Sequence, residues 1–507
     1  MQTINEMLES IGKHEPGRIA VIFEERKITY KELNEEINRL ANGLLRSGVK
    51  RGDFVMTLIP NSLRLLISYQ AIIRTGATVV PLNVMYTAHE IRHIGQDTQA
   101  RAIIADSDLW TGHAAVKADL PAIEHIIIAQ GKAKDNEIPL DAVTSNIETA
   151  PVVASELDDI VSIIYTSGTT GRPKGATQTH RSILSNVMGC CTRNKFSRED
   201  HLVCALPLYN NFALNVVMMS AFFTGATLIC IDRFEARKVL DSIKADKGTY
   251  FAGTPTMFSY LLQEYKEGLD DVSTLRVTNS GGANCPGEVI RQIEKIFGVT
   301  HMDGYGQTEG CGFTAINPFV GVRKENSVGP PLSNALIKIF DDDDNELPVG
   351  QTGEIVLKGD CFSIHGYLNR PEVNAETNRK GWFHSGDLGY VDSDGYLFVV
   401  DRKQDLIITG GQNIYPAEVE EVIYTHPKVA LAAVIGVPDK VKGEIAKAYI
   451  VLKKGQTIME KEVIDYVRGR IAKFKAPRIV EFVDALPQGP TGKILKRELR
   501  EMVKKQG

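Results

Sequence analysis

The sequence predicts an α/β protein with a large N-terminal domain and a small α+β C-terminal domain. Short apolar runs alternate with amphipathic helical patterns, which indicates layered α/β subdomains around largely parallel sheets. From about residue 328, short strands and Gly/Asp turns indicate a β-rich part built of hairpins. After Arg402 a further unit of roughly 100 residues follows, enough for its own core. We therefore predict domains at 1–402, with a β-rich part at about 328–402, and at 403–507.

Individual elements of this prediction follow from local patterns. Thr29 is suited to cap a helix whose apolar residues recur at helical spacing as far as Leu44, and Gly48 ends the pattern. The apolar run 54–60 is typical of a buried strand. In the C-terminal unit, Pro416 suits the first turn of another helix.

Composition argues against several classes of function. The net charge of −5 leaves no basic excess for nucleic acid, and no apolar run approaches the length of a membrane span. The first residues include acids and lack an apolar core, so we expect no signal peptide. Seven cysteines without a C-x-x-C pair favour reduced thiols in a cytoplasmic protein over a disulfide framework or a zinc site.

The segment Tyr165–Gly175, YTSGTTGRPKG, is the most informative stretch of the chain. It follows an apolar run typical of a buried strand and combines hydroxyl groups, glycines and one lysine, Lys174. Glycines let backbone N–H groups approach a polyanion, and the hydroxyls and the lysine add donors and a positive charge. The spacing does not fit a Walker A loop, because Lys174 is followed by glycine. The composition predicts a phosphate-binding loop, with a polar surface turn as the alternative.

Four further strings follow the loop in order: HMDGYGQTEG, GWFHSGDLGYVDSDGYLFVVDR, DLIITGGQNIYPAEVE and LPQGPTGKILKREL. Together with the loop they resemble the motifs of the adenylate-forming enzymes, which include acyl-CoA synthetases, peptide-synthetase adenylation domains and firefly-type luciferases. The resemblance covers essentially the whole chain. It implies that a carboxylic acid attacks the α-phosphorus of ATP to give acyl-AMP and pyrophosphate, after which a thiol such as that of coenzyme A displaces AMP.

The resemblance implies catalytic roles for three residues. Lys493, in PTGK, matches the lysine that bridges carboxylate and phosphate. Glu309, in YGQTE, matches the ligand of Mg²⁺, with Thr308 beside it on the phosphates. Two unit charges about 4 Å apart repel by about 4 kcal/mol at intermediate dielectric, so a cation is needed to offset the repulsion between the reactants. One carboxylate together with ATP oxygens is an ordinary arrangement for Mg²⁺.

The resemblance also implies the contacts of the nucleotide. Asp387, in SGDLG, would accept hydrogen bonds from both ribose hydroxyls, and Arg402 would add a second ribose contact. Tyr305 would stack on adenine, and Asp303 would lie near the adenine amino group. The other predicted ATP-binding residues surround the β- and γ-phosphates or the base: Thr166, Ser167, Gly168, Thr169, Thr170, Gly171, Lys174, Gly281, Gly282, Ala283 and Gly306.

For the C-terminal domain the resemblance implies mobility. The domain would rotate after adenylation, removing Lys493 and presenting a second face for the thiolation step. Gln404 matches the pivot, where the family usually has Asp or Lys. Gly411 would let the pantetheine arm of CoA pass close to the backbone. The candidates for the CoA phosphates, with solvated surface charge as the alternative, are Lys473, Lys475 and Arg478.

The segment LPLYNN bears on the acid. Asn210 stands where many acyl- and aryl-CoA ligases carry His, and an amide does not become cationic. Amino-acid-activating relatives carry an Asp near here, whereas no acidic residue occurs from Leu206 to Cys230, which disfavours an amino-acid substrate. Together with Asn210, the apolar Phe212 and Val216 would line an acyl pocket, or else belong to the core.

The leading hypothesis is therefore an acyl-CoA ligase for a hydrophobic monocarboxylic acid, with a fatty acid favoured and an aryl or alicyclic acid second. The alternative enzyme loads the acid onto the thiol of a separate carrier protein, and a luciferase-like oxidation on the same scaffold stays open. A degenerate nucleotide-binding regulator would be expected to lack Lys493 or Glu309, and both are present. The expected partners are ATP, Mg²⁺, the acid and CoA, and the sequence is compatible with a homodimer.

Overall fold

The computed structural model describes residues 2–166, 173–489 and 492–506. Helices and strands alternate from the N-terminus onward, as the sequence pattern predicts. The elements before the phosphate loop are α1 (Ile4–His14), β1 (Ile19–Phe23), β2 (Arg26–Thr29), α2 (Tyr30–Arg46), β3 (Phe54–Leu58), α3 (Leu63–Arg74), β4 (Thr78–Pro81), α4 (Ala88–Thr98), β5 (Ala102–Asp106), α5 (Ser107–Thr111), a 3₁₀-helix (Ala114–Asp119), β6 (His125–Gln130), β7 (Ile138–Pro139), α6 (Leu140–Val143) and β8 (Ile160–Thr166).

The next part of the chain continues the alternation after the loop. It contains β9 (Lys174–Thr179), α7 (His180–Asn194), β10 (His201–Cys204), a π-helix (Phe212–Met219), α8 (Ser220–Thr224), β11 (Thr227–Cys230), α9 (Ala236–Asp246), β12 (Tyr250–Gly253), α10 (Pro255–Glu264), β13 (Val277–Ser280), α11 (Gly287–Phe297), β14 (Thr300–Gln307), a 3₁₀-helix (Thr308–Gly310) and β15 (Gly312–Ile316).

Helix α2 forms where the sequence predicts it. The Thr29 hydroxyl accepts a hydrogen bond from the backbone N–H of Glu32, and the Glu32 carboxylate accepts one from the backbone N–H of Thr29, which makes a capping box. The apolar stripe through Leu44 is buried. The helix ends at Arg46, and Gly48 takes a φ of +93°, in the left-handed region that favours glycine.

These strands form two sheets. Within the described residues, the first has the order β15-β14-β13-β12-β10-β11-β1-β2 and the second the order β7-β6-β5-β3-β4-β8-β9. The pairs are parallel except at β1–β2, β14–β15 and β8–β9. Ligands of open α/β sheets bind beyond the carboxyl ends of the strands. Here β8 ends at the phosphate loop, β13 ends at Ser280 directly before Gly281, and β14 ends at Gln307, so three predicted motifs extend from strand ends.

The β-rich part forms a third sheet. Its elements are β16 (Ala335–Phe340), β17 (Gly353–Gly359), α12 (Pro371–Thr377), β18 (Asn378–Arg379), β19 (Trp382–Val391) and β20 (Leu397–Arg402). The order is β16-β17-β19-β18, with β20 also on β19, and the pairs are antiparallel, as hairpins require. This register places Asp387 directly opposite Arg402 in the ladder.

The C-terminal part forms a fourth sheet with its own core. It consists of β21 (Ile407–Thr409), β22 (Gln412–Ile414), α13 (Pro416–Tyr424), β23 (Val429–Asp439), β24 (Gly443–Leu452), α14 (Glu460–Arg468), β25 (Ile479–Phe482) and α15 (Lys496–Gln506). Pro416 occupies the first turn of α13, as predicted. The chain therefore has the predicted architecture of a large α/β part and a small α+β part. No helix among the described residues is long and apolar enough to cross a membrane.

Candidate active site

The base of the phosphate loop is a β-hairpin. Thr166 ends β8 and pairs in register with Lys174, which begins β9. Tyr165 is buried and donates a hydrogen bond of 2.8 Å to Asp97 Oδ2, while Arg370 donates one of 2.9 Å to Asp97 Oδ1. The hairpin is thereby anchored to α4 and to the β-rich part. The predicted loop residues that lie outside the described residues are Ser167, Gly168, Thr169, Thr170 and Gly171.

Glu309 lies in the short 3₁₀-helix after β14, beside Thr308. Its Oε1 accepts a hydrogen bond of 2.5 Å from the Tyr367 hydroxyl, and the ring of Tyr367 also lies 5.9 Å from Lys174 Nζ. Burial raises the pKa of Glu309, and the hydrogen bond from Tyr367 acts in the opposite direction. Sequence reasoning missed Tyr367, because no spacing pattern links it to Glu309. Only a family comparison of the segment HGYLNRPE would have marked it as a candidate.

Asp387 lies at the centre of a polar cluster. It is 6% exposed, and its Oδ2 accepts hydrogen bonds from the Tyr305 hydroxyl at 2.7 Å and from Gln307 Nε2 at 3.0 Å. Arg402 Nε lies 3.4 Å from Asp387 Oδ1. The predicted ribose pair and the predicted adenine tyrosine are therefore in contact. Gln307, which sequence reasoning did not single out, also donates to the Tyr305 hydroxyl at 2.8 Å.

Lys493 reaches this cluster from the C-terminal part of the chain. The pKa of Lys493 is lowered to about 8, mainly by burial and also by Arg402, while Asp387 and Asp405 act in the opposite direction. The preceding Gly492 has a φ of +76°, and a methyl group there would lie 3.0 Å from Thr254 Oγ1, at the N-terminus of α10. The turn that carries Lys493 thus packs against the large domain, although Pro490 and Thr491 lie outside the described residues.

A buried hydrogen-bonded chain runs behind the predicted adenine site. Ser280 donates to Asp303 Oδ1 at 2.5 Å and also contacts His301 Nε2 at 2.8 Å, and Thr278 contacts His301 Nδ1 at 2.9 Å. Burial raises the pKa of Asp303 to about 7 and lowers the pKa of His301 to about 3. Asp303 therefore lies at the end of a buried, desolvated chain rather than in open solvent.

Glycines bring backbones close together around this chain. A methyl group at Gly306 would lie 1.9 Å from the carbonyl oxygen of Gly312, so β14 and β15 approach too closely there for any side chain. Gly282 has a φ of +81° and, like Ala283, is exposed. The ring of Phe313 packs against Gly281, where a methyl group would lie 2.6 Å from a ring carbon.

The residues present fit Mg²⁺ bound together with ATP. Glu309 provides one carboxylate, an oxygen donor of the kind that Mg²⁺ prefers, and Thr308 is predicted beside it on the phosphates. Within the described ranges, no group of three or more His, Cys, Asp or Glu residues is placed to hold a metal ion. The protein would therefore supply few ligands, and phosphate oxygens would complete the coordination.

The predicted acyl-site residues separate into two environments. Phe212 is partly exposed, and its ring meets that of the buried Phe313 edge to face, with 5.0 Å between centroids. Asn210 is also partly exposed. Val216 is 1% exposed and packs beside Gly312, so it belongs to the core behind this surface, which was the alternative interpretation of its apolar character.

The predicted CoA residues lie, like Lys493, on the C-terminal part of the chain. Gly411 has a φ of +80° in the β21–β22 turn, and no atom lies within 4 Å of where its Cβ would be. The space beside Gly411 is open, and its predicted role as the place where pantetheine passes the backbone stays a prediction. Lys475 is not a free cation either, because its Nζ lies 2.7 Å from both carboxylate oxygens of Glu418. Lys473, Arg478 and the predicted pivot Gln404 are exposed.

Family models match both parts of the chain. The model described as AMP-binding enzyme matches residues 8–368, and the model described as AMP-binding enzyme C-terminal domain matches residues 418–493. The chain belongs to this family of adenylate-forming enzymes. The superfamily predicted from the five ordered motifs is thereby confirmed.

Relatives in the family are similar over nearly their whole length. The chain is 37% identical over 487 residues to a feruloyl-CoA synthase of Amycolatopsis sp., covering 96% of each chain. It is 33% identical over 531 residues to a long-chain-fatty-acid–CoA ligase of Bacillus subtilis (strain 168), covering 99% of this chain and 94% of the relative.

Solved structures of the family share the fold. ATP-bound MatB from Rhodopseudomonas palustris matches with a TM-score of 0.90 at 33% identity, over 99% of both chains. An anthranilate CoA ligase, AuaEII, in complex with anthranoyl-AMP matches with a TM-score of 0.94 at 27% identity, over 100% of this chain and 98% of that one. The predicted α/β fold is confirmed, and the chain is an AMP-forming acid–CoA ligase that acts through an acyl-adenylate.

Proposed function

We propose that this acid–CoA ligase adenylates a hydrophobic monocarboxylic acid with MgATP beside Lys493 and then transfers the acyl group to coenzyme A. The observation that carries the proposal is the position of Lys493, which follows Gly492 where the chain packs against α10 and is partly buried beside the charges of Asp387 and Arg402. An ammonium group at this point offsets the repulsion between a carboxylate and the α-phosphate. With a pKa of about 8, it is largely charged at neutral pH.

The first step joins the acid to AMP. A carboxylate oxygen forms a bond to the α-phosphorus, and the bond from that phosphorus to the oxygen of pyrophosphate breaks. Lys493 would contact both reacting groups, while Lys174 and Thr308 hold the departing pyrophosphate. Glu309 would hold the Mg²⁺ ion, which when bound neutralises phosphate charge. The ribose hydroxyls of ATP would donate hydrogen bonds to Asp387 in place of protein groups that now contact it.

The second step transfers the acyl group to a thiol. The sulfur of CoA attacks the acyl carbon, and the bond from that carbon to the phosphate oxygen of AMP breaks. Lys473 and Arg478 are exposed cations suited to CoA phosphates, and Gly411 offers backbone without a side chain. Rotation of the C-terminal domain about Gln404 would bring Gly411 to the site, because in the present arrangement it faces open space.

A fatty acid is our first choice of substrate class, since the acyl side around Phe212 is apolar and the segment 206–230 carries no acidic residue. An aryl acid is the second candidate. It is favoured by the aromatic pair of Phe212 and Phe313, which stands next to Gly281, and by the similarity to a feruloyl-CoA synthase. Aromatic rings pack well edge to face, so such a pair suits a flat substrate.

Pyrophosphate release with a panel of acids tests the substrate class. We would compare hexanoate, decanoate, palmitate, benzoate and ferulate at equal MgATP concentration. A straight-chain acid should give the highest kcat/KM. A higher kcat/KM for benzoate or ferulate would move the assignment to the aryl class, and activity with none of the five would contradict a hydrophobic substrate.

The acceptor is tested separately. ATP–pyrophosphate exchange reports adenylation, and CoA-dependent release of AMP from preformed acyl-AMP reports thiolation. Exchange without CoA-dependent release would refute the CoA step and favour a carrier-protein thiol.

The seven cysteines are buried and unpaired, which supports the predicted cytoplasmic location. A homodimer remains a prediction.

A further inference from the structure

The segment Gln307–Phe313, which carries Thr308 and Glu309, is the tight connection between the antiparallel strands β14 and β15 and contains the short 3₁₀-helix Thr308–Gly310. Strand β14 ends at Gln307, and β15 begins only at Gly312. Between them Cys311 takes a φ of +58°, which is uncommon for a residue with a side chain. The carbonyl of Thr308 accepts a hydrogen bond from the backbone N–H of Cys311 at 3.1 Å. Gly310 and Cys311 are buried and lie outside the strand ladder, so their carbonyls need hydrogen bonds from elsewhere.

Side-chain amides supply those hydrogen bonds. Gln178 Nε2 donates to the carbonyl of Thr308 at 3.1 Å, and Asn215 Nδ2 donates to that of Cys311 at 3.1 Å. Asn186 Nδ2 donates to the carbonyls of Gly310 at 2.9 Å and Phe313 at 2.7 Å. We propose that these three amides position the segment Gln307–Phe313, and through it Thr308 and Glu309, for adenylation.

The three amides come from separate elements and are fully buried. Gln178 lies on β9, Asn186 on α7 and Asn215 on the π-helix, and each is 0% exposed. Gln178 and Asn215 also contact the side-chain amide of Asn211, at 2.9 and 2.7 Å. Buried, interlinked amides fix backbone geometry, because their misplacement would leave backbone carbonyls without hydrogen-bond partners.

General core packing would not distribute the contacts in this way. Four hydrogen bonds from the three amides end on backbone carbonyls of one seven-residue segment and involve neither the Thr308 hydroxyl nor the Glu309 carboxylate. Among the described residues the amides donate to these carbonyls and to other amides, so any effect on the reaction is expected to pass through Thr308 and Glu309. Gln178, Asn186 and Asn215 are thus positioning residues, and the inference rests on the adenylation role proposed for Glu309.

The test replaces two of the amides by leucine, in Asn215→Leu and Gln178→Leu. Asn194→Leu is the matched control, because Asn194 is 0% exposed and its Nδ2 donates at 2.9 Å to the carbonyl of Cys190 within α7. Measurements are kcat of ATP–pyrophosphate exchange, half-saturating Mg²⁺, the Tm, and the Tm shift that MgATP causes relative to ATP with EDTA.

We expect both variants to lose about tenfold in kcat relative to Asn194→Leu, because the catalytic groups are misplaced while binding of the acid is retained. Half-saturating Mg²⁺ should rise about tenfold, and the MgATP-induced Tm shift should shrink. The KM for the acid should stay within about twofold of the control value. If both variants match Asn194→Leu in kcat and in Mg²⁺ dependence, the amides are ordinary core residues and the proposal is wrong.

A second variant keeps the proposal testable if leucine disrupts folding. Asn215→Asp retains the shape, and a buried aspartate has a raised pKa. The protonated form donates to the Cys311 carbonyl, whereas the ionised form repels it. We expect kcat to fall as the pH rises, beyond any change in Asn194→Asp, and equal pH profiles would contradict the proposal.

Glu309→Gln distinguishes failure of the proposed function from failure of this inference. Normal exchange in that variant would refute the proposed role of Glu309 and not the contacts of the amides.

Discussion

Tyr367 donates a hydrogen bond of 2.5 Å to Glu309, and its ring lies 5.9 Å from Lys174 Nζ. One side chain therefore connects the predicted magnesium ligand with the predicted phosphate lysine. Burial and the neighbouring Glu309 raise the pKa of Tyr367, so the phenol keeps its proton and acts as the donor at neutral pH. The bond fixes one oxygen of Glu309 and leaves the other for a cation.

Tyr367→Phe should weaken the use of Mg²⁺. A hydrogen bond to a charged group contributes about 1.5–3 kcal/mol, so half-saturating Mg²⁺ in pyrophosphate exchange should rise about tenfold or more. The control is Tyr466→Phe, which removes a hydroxyl that donates at 3.0 Å to the Thr425 carbonyl in the C-terminal part. An unchanged Mg²⁺ dependence in Tyr367→Phe would show that this bond does not orient the carboxylate.

Adenylation should decline at alkaline pH because Lys493 loses its charge. Burial lowers the pKa of Lys493 to about 8, and the charged form is the one that offsets carboxylate–phosphate repulsion. The kcat/KM of exchange, which reports the free enzyme, should therefore fall as the pH rises through about 8. In Lys493→Arg the guanidinium stays charged, so the rate should be lower but the alkaline decline should disappear. If kcat/KM falls equally at alkaline pH in the wild type and in Lys493→Arg, the decline belongs to another titrating group.

Acid should destabilise the fold through His180. His180 is 1% exposed, accepts a hydrogen bond from the backbone N–H of Ile4 at 3.2 Å, and contacts the Ser155 hydroxyl at 2.9 Å. Burial lowers its pKa to about 4, while the nearby Asp159 raises it. Because the neutral form is favoured in the folded state, its stability contribution is complete above the unfolded pKa of about 6.5 and is lost as the pH falls toward 4.

The free energy of unfolding should fall by about 3 kcal/mol between pH 6.5 and pH 4, at 1.36 kcal/mol for each unit of difference between the two pKa values. Thermal unfolding from pH 7.5 to 4.5 would measure it, with His180→Asn as the comparison, since asparagine keeps an acceptor for Ile4 and does not titrate. The wild-type Tm should fall more steeply with decreasing pH than that of His180→Asn. Parallel curves would mean that His180 is not the group responsible.

Gly306→Ala should damage both stability and activity. The new methyl group would lie 1.9 Å from the Gly312 carbonyl oxygen, so β14 and β15 would have to separate beside Thr308 and Glu309. We expect a destabilisation of about 3 kcal/mol, typical of strain in a packed core, and loss of pyrophosphate exchange. Gly17→Ala is the control, because no atom lies within 4 Å of that position. A normal Tm and normal exchange in Gly306→Ala would contradict this account of the close approach.

The sequence made the residues within the five motifs predictable. The residue types required by the chemistry, such as Lys493 and Glu309, stand in short strings that can be identified one at a time. Tyr367 and Gln307 were missed because their importance lies in a contact rather than in a string. Lys475 was assigned to CoA on charge alone, and its ion pair with Glu418, which is distant in sequence, could not be inferred from composition.

The sequence by itself determined the fold class, the family and the chemistry of the reaction, because periodicity, capping and motif composition are local properties. Tertiary structure alone decided which of these residues meet. The ladder register sets Asp387 opposite Arg402, the packing of the small part against α10 brings Lys493 to them, and three distant amides hold the turn of Glu309. Such contacts depend on register and on burial without unsatisfied polar groups, which are properties of the packed chain as a whole.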